Sequence, residues 1–232
     1  MNNIVFVNID TQNDFIMSDG KLPVPHAESI RPELQKLTEI ASLYNLTVIN
    51  TCDWHDENSS ELSNTPDYIN TFPEHCMKYT EGAKFIKETN PIHPFVIDYN
   101  YESFLVEDAI QHRNIIIRKD KFDVFSGNPY SESLFEKFQE HIFIVYGVAE
   151  NVCVNFAVEG LLNRGKEVYV VKEAIKGLPN IDSSVDEWKV KGAKMINLYD
   201  LENIIKNYRQ YNIIGGVDLV NGNGDIIKRN LK

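Results

Sequence analysis

The sequence predicts an α/β fold in three layers, a central, mostly parallel sheet covered by helices on both faces. Short apolar, β-branched runs alternate along the chain with stretches whose apolar residues recur at helical spacing. The runs are near-continuous in hydrophobicity, as suits interior strands buried on both faces. Polar residues with chemical potential follow several of them directly. At 232 residues and 43% hydrophobic content, the chain can bury one sizeable core.

The first run, Ile4 to Ile9, reads as a central strand and stops at Asp10 in DTQNDF. Pro23 and Pro25 keep the next stretch irregular, after which Ile30, Leu34, Leu37, Ala41 and Tyr44 trace one face of a helix. Leu46 to Asn50 is the second strand and leads into Cys52-Asp53-Trp54-His55. Residues 56–94 form a long excursion rich in Asn, Ser, Thr and Pro; within it TFPEHC, Thr71 to Cys76, is expected to be ordered. Phe95 to Ile97 reads as a weak strand and Glu102 to Ile110 as a helix. Ile115 to Ile117 is the third central strand, followed by Lys119 and Lys121 in RKDKFDVF, then a short helix from Ser131 to Gln139.

The stretch from His141 to Gly165 is a buried strand (Ile142 to Val145), a tight turn and a helix that carries Cys153 in its first turn. Val152, Phe156, Ala157 and Leu161 mark the helix, and Gly165 closes it. Glu167 to Val171 and Met195 to Asn197 are further strands; Asp186 to Lys191 and Leu201 to Asn207 are helices. The main domain thus spans residues 1–207. Residues 208–232 read as a C-terminal extension, with Val217 to Val220 and Asp225 to Lys228 as a β-hairpin around Asn221-Gly222-Asn223-Gly224. That glycine pair opens no helix and is not a phosphate loop.

A formal net charge of −11 argues against nucleic acid and against an anionic membrane surface, leaving small molecules as the expected partners. The three cysteines are odd in number and irregularly spaced, and Met1 leads almost directly into a strand, so a reducing cytoplasm is expected. No apolar run approaches membrane-spanning length.

In a parallel sheet the strand ends that carry Asp10, Asp53 with His55, Lys119 and the turn before Cys153 lie along one edge, where open α/β sheets bind ligands. Alone, Asp10 reads equally as a turn cap and Lys119 as part of a solvated face. Together they read as an acyl-transfer set: Asp10 accepts the thiol proton, Lys119 favours the thiolate, and Cys153 attacks a carbonyl carbon. The positive end of the helix dipole is expected to favour the thiolate as well, and backbone N–H groups at the helix start to cradle an oxyanion. Asp53 and His55, one residue apart in an extended segment, point the same way, and His75 completes a set suited to a divalent transition metal.

These motifs resemble, in order, those of the isochorismatase-like cysteine hydrolases, and within them most resemble the nicotinamidases. DTQNDF places Asp10 as the family's catalytic aspartate; CDWH and FPEHC place Asp53, His55 and His75 as metal ligands; KDKFDVF places Lys119, and not Lys121, as the catalytic lysine; GVAENVCV places Cys153 as the nucleophile. The resemblance implies a cis peptide between Val148 and Ala149, with the Ala149 and Cys153 amides as the oxyanion hole. It implies Phe15, Phe72 and Phe122 as substrate-binding aromatics. It also implies one divalent metal ion, zinc first with iron or manganese as alternatives, and conversion of nicotinamide to nicotinate and ammonia through a thioester, in pyridine nucleotide salvage. Glu150 and Asn151 stand where the family usually has Thr and Asp, and Phe122 and Asp123 where it has Tyr and Ser. No histidine takes the optional fourth ligand position, for which Glu61 is the nearest residue. The competing readings are an amidase of another small amide or carbamoyl compound, and a catalytically silent interaction module. The Pro91 to Arg113 segment and the C-terminal extension are expected to cover sheet edges or mediate self-association, giving a homo-oligomer.

Overall fold

The structure, a computed structural model, describes residues 4–213, with side chains through 207. Its strands are β1 (Ile4–Ile9), β2 (Thr47–Asp53), β3 (Phe95–Ile97), β4 (Asn114–Lys119), β5 (Ile142–Val148), β6 (Glu167–Lys176) and β7 (Lys194–Ile196). They pair in parallel throughout, in the order β3-β4-β2-β1-β5-β6-β7. Every residue of β1 and β5 is buried, which is why those segments are apolar almost without interruption. From β1 the chain builds outward through β2 to β4 and β3, then returns to β5 on the opposite side. This reversal opens a crevice at the carboxyl ends of β1 and β5.

The helices are α1 (Asn13–Ile16), α2 (Arg31–Leu43), α3 (Val106–Ala109), α4 (Val124–Gly127), α5 (Ser131–Glu136), α6 (Cys153–Asn163), α7 (Val185–Lys191) and α8 (Leu198–Ile213). Successive side chains of a strand face opposite sides, so β1 serves two cores. Ile4 and Phe6 pack with Leu34, Leu37 and Ile40 of α2 and with Leu201 and Ile205 of α8. Val5 and Val7 pack with Leu134 of α5, Val154 and Leu161 of α6, and Trp188 of α7. Each such fully buried side chain contributes about 1.5–3 kcal/mol, and these two layers hold the sheet between helices as expected.

The structure shortens the helix expected over Glu102 to Ile110 to Val106–Ala109, in which only Ala109 is buried. So little apolar contact does not offset the cost of a longer helix. β6 runs five residues past Val171, with a register shift between Val145 and Gly147 where β5 bends. Gly147 has φ 124°, and a Cβ there would meet the Ile9 carbonyl oxygen at 2.0 Å, so only glycine lets β5 pass the end of β1 just before Asp10. α1 and α4, single turns after β1 and β4, are too short to show a period in sequence. α8 continues to Ile213, across the boundary placed at 207/208. The expected hairpin lies outside the described residues. Residues 54–94 hold no regular helix or strand but are tied down by isolated bridges, His55 with Met77 and Leu62 with Phe72 among them. Among the described residues no helix is long and apolar enough to cross a membrane.

Candidate active site

Asp10 leaves β1 with a left-handed backbone, φ 48°. Its Oδ1 accepts a hydrogen bond from Thr51 Oγ1 at 2.6 Å, and Oδ2 lies 2.8 Å from Lys119 Nζ. Lys119 ends β4 directly beside Asp53, which ends β2, and the two are ion-paired. Cys153 opens α6 with Sγ 3.8 Å from Lys119 Nζ. Carboxylate oxygens of Asp10 and Asp53 and the Cys153 sulfur lie within 4.8 Å of one another, and all of these side chains are buried. The structure therefore brings Asp10, Lys119 and Cys153 together. It leaves Lys121, two residues on, exposed.

Burial would strip Lys119 of its proton, but Asp10 and Asp53 hold its pKa well above the ordinary lysine value. Burial raises the pKa of Asp10, and Asp53 adds to the rise against the pull of Lys119, which makes Asp10 a stronger base than a solvated carboxylate. Against its own burial, Asp53 is kept well below the usual carboxylate range by Lys119 and the two histidines. Burial also pushes the Cys153 thiol well above its ordinary value; Lys119 opposes this, while Asp10 and Asp53 reinforce it. Burial beside two carboxylates thus works against the helix dipole and the ammonium, which favour the thiolate.

Asp53, His55 and His75 offer ligand atoms within 4.8 Å of one another, with Nε2 of His55 and His75 at 3.7 and 3.6 Å from Asp53 Oδ2. His75 Nδ1 is 2.7 Å from the Pro73 carbonyl oxygen; donating there leaves the Nε2 lone pair facing Asp53. Both ring nitrogens of His55 are buried without a hydrogen-bond partner, an arrangement that costs about 1–3 kcal/mol per orphaned atom unless something ligates it. A cation between these three side chains fits that donor set. Asp10, Asp53 and Cys153 also cluster, but the Lys119 ammonium already supplies the positive charge there.

Glu61 Oε1 accepts from the Phe122 amide at 2.9 Å, while Oε2 is buried without a partner. Burial pushes its carboxyl up to about 8. A carboxyl raised in the folded state contributes stability that is fully present below the unfolded value of about 4.3 and is lost as pH rises through the folded one. In metal-free protein, Glu61→Gln should therefore flatten the decline in stability between about pH 5 and pH 8, measured by urea unfolding. An unchanged slope would place the Glu61 carboxylate in water.

Supporting residues escaped the sequence reading. The Gln12 side chain clasps the Asp53 backbone, donating to its carbonyl at 2.8 Å and accepting from its amide at 2.8 Å. Asp14 accepts from the Cys76 amide at 2.7 Å and from the Lys21 amide at 3.0 Å, fixing the loop that presents His75. Both lie in DTQNDF, and the signal was there: polar residues that become fully buried after a strand end need partners. Glu150 and Asn151 hold the loop after β6. Asn151 donates to the Leu178 and Ile181 carbonyls at 2.8 and 2.7 Å and accepts from the Leu178 amide at 2.8 Å, while Glu150 accepts from the Ser184 amide at 2.8 Å.

Above the cluster opens a cavity of about 620 Å³ with Asp53, His75 and Cys153 on its floor and Phe15, Phe72 and Phe122 among its walls. Phe72 meets Phe122 edge to face at 5.4 Å, and Phe15 leans on His75 at 5.3 Å. Ala149 also lines it, and the Val148–Ala149 peptide is cis, as the resemblance implies.

The chain is 27% identical over 216 residues to nicotinamidase of Escherichia coli (strain K12), covering 84% of this chain and 94% of the relative. It is 25% identical over 170 residues to nicotinamidase/pyrazinamidase of Mycobacterium tuberculosis (strain ATCC 25618 / H37Rv), covering 73% and 84%. Its fold matches the crystal structure of pyrazinamidase of Pyrococcus horikoshii in complex with zinc with a TM-score of 0.65 and 24% identity, over 84% of this chain and 99% of that one. The isochorismatase domain model matches residues 5–196. Because that match runs from β1 through β7 and so takes in every strand that positions the clustered side chains, the chain belongs to the isochorismatase family.

Proposed function

We propose that the protein is an amidohydrolase that converts nicotinamide to nicotinate and ammonia. The observation that carries the reading is a thiol on the floor of an aromatic-walled cavity, with a lysine and a basic carboxylate packed against it and an Asp, His, His set alongside. Asp10 takes the Cys153 proton as sulfur attacks the amide carbon, and the Ala149 and Cys153 amides receive the developing oxyanion. Asp10 then returns the proton to the departing nitrogen, the C–N bond breaks, and ammonia leaves a thioester. Water attacks that thioester with Asp10 again as base; the C–S bond breaks, and carboxylate and thiol are released. Throughout, Lys119 keeps the Asp10 carboxylate in place and offsets its charge.

Asp53, His55 and His75 would hold one divalent transition metal, with zinc first and iron or manganese as alternatives. When bound, it supplies a Lewis acid for the pyridine nitrogen and orients the ring. The Asp10, Lys119 and Cys153 set argues against a silent module. Among the described residues neither lysine nor arginine lines the cavity, so an acidic carbamoyl substrate finds no counter-ion among them. Ammonia release across a panel of aromatic and aliphatic amides tests the reading directly. Removing the metal with a chelator should weaken nicotinamide binding by about tenfold or more, yet barely change the rate at which a small alkylating agent modifies Cys153. Benzamide, lacking the ring nitrogen, should be a poor substrate. Equal turnover of benzamide and nicotinamide, or undiminished nicotinamide affinity in His55→Ala, would remove the metal from substrate binding.

A further inference from the structure

The catalytic floor occupies only the inner part of the cavity. Its volume, about 620 Å³, falls in the range that encloses drug-sized ligands, more than a single-ring amide fills. Beyond the floor the lining is mostly apolar, with Asn180 as a polar member. Tyr68, Ile69 and Ile181 belong to it while remaining 60%, 75% and 39% exposed. Single exposed apolar side chains are ordinary, but several around the mouth of one cavity mark surface that a ligand covers.

These walls are built rather than loose. The Asp67 carboxylate accepts the backbone N–H groups of Ile69, Asn70 and Thr71 at 2.9, 2.8 and 2.8 Å, so the turn that presents Tyr68 and Ile69 is closed by its own acidic residue. Asn151 likewise secures the backbone of Leu178 and Ile181, which also line the cavity. A third wall, with Leu22 and Pro25, is tied back through the Leu22 amide to the Asp14 carbonyl at 3.1 Å and the Val24 amide to the Phe15 carbonyl at 2.9 Å. Walls held in place before binding do not need to be ordered by the ligand.

We propose that the preferred substrates of this site are uncharged aromatic amides carrying an apolar alkyl or aryl substituent on the acyl side, seated between Tyr68, Ile69 and Ile181. The inference rests on the amidase reading and names the substrate class within it. The leaving group is still ammonia and the covalent steps are unchanged; only the portion of the acyl group remote from the reacting carbon is larger.

The test uses the full chain with its metal. Binding to Cys153→Ala is measured by calorimetry, and kcat/KM on the unmodified enzyme, for nicotinamide and for nicotinamides bearing methyl, propyl or phenyl at the ring carbons remote from the carboxamide. Affinity should rise by about fourfold per buried methylene. Ile69→Ser and Asp67→Ala should shrink the ratio of substituted to unsubstituted affinity. Affinity that is flat or falling with substituent size at every position, while nicotinamide itself is turned over, overturns this inference and spares the amidase reading. Rising affinity without hydrolysis of any amide overturns the amidase reading and, with it, the substrate class. If Ile69→Ser dissociates an oligomer and leaves the ratio unchanged, the rim is a subunit contact and the inference falls.

Discussion

Cys153→Ala protein is expected to fold, to bind amide, and to release ammonia at least about four orders of magnitude more slowly than the unmodified enzyme. Alanine fits the first turn of α6, where Cys153 is buried, and it is the best helix former, so the backbone around the reacting atoms should persist. What disappears is the atom that forms the thioester. Asp10→Asn should lose a comparable factor for a different reason. The amide keeps the volume and the Thr51 contact but can neither accept the thiol proton nor return it to the departing nitrogen. Burial and the two carboxylates push the Cys153 thiol up, which increases its need for a base. The double variant should be no slower than either single one, as happens when two groups serve one step. Steady-state ammonia release, with amide binding by calorimetry as the control for folding, checks all three. An active Cys153→Ala protein would sink the nucleophile assignment, and an active Asp10→Asn would move the proton to another group.

Lys119→Met should cost both activity and stability. Lys119 is a buried cation shared by Asp10 and Asp53, and removing it leaves Asp10 without its cation and Asp53 with only the His55 and His75 imidazoles beside it. Breaking a buried pair from one side typically costs about 3–5 kcal/mol, which for a chain of this size lowers Tm by roughly 6–20 °C. Metal-free protein gives the cleanest reading, since a cation at Asp53 would take over part of the role. The pH dependence has a definite sign. Without Lys119 the folded-state pKa of Asp10 rises further, so the variant is most stable at low pH and loses stability as pH climbs through that value. Thermal unfolding across acidic and neutral buffers measures this. A variant that melts with the unmodified protein at neutral pH would mean that water, not Lys119, compensates the carboxylates.

Much of this was legible in the chain before folding. The β1 and β5 runs are apolar because both faces of those strands are covered, and the switch to Asp10, Asp53 and Lys119 at the strand ends marks where that cover stops. Burial leaves its trace in local composition, so the strands and the reactive edge could be read, while their order in the sheet could not. Even the three-residue Phe95–Ile97 strand was visible, because its neighbours supply turn signals. Where burial was thin, as in the segment before α3, pattern overstated the helix.

What the sequence by itself determined, then, is which residues end the strands and which chemistries they carry. Only the tertiary structure decided how those residues act on one another. Lys119 and Lys121 are the same residue type two positions apart, yet β4 pairing with β2 puts the first between two buried carboxylates and leaves the second in water. The Cys153 thiol is pushed up by burial together with Asp10 and Asp53, which come from different strands. Gln12, Asp14 and Asn151 matter only through backbone atoms far along the chain that they hold. Composition and period report on neighbours in sequence, whereas Coulomb interactions and hydrogen bonds depend on distances and on a local dielectric that exist only once the sheet has formed.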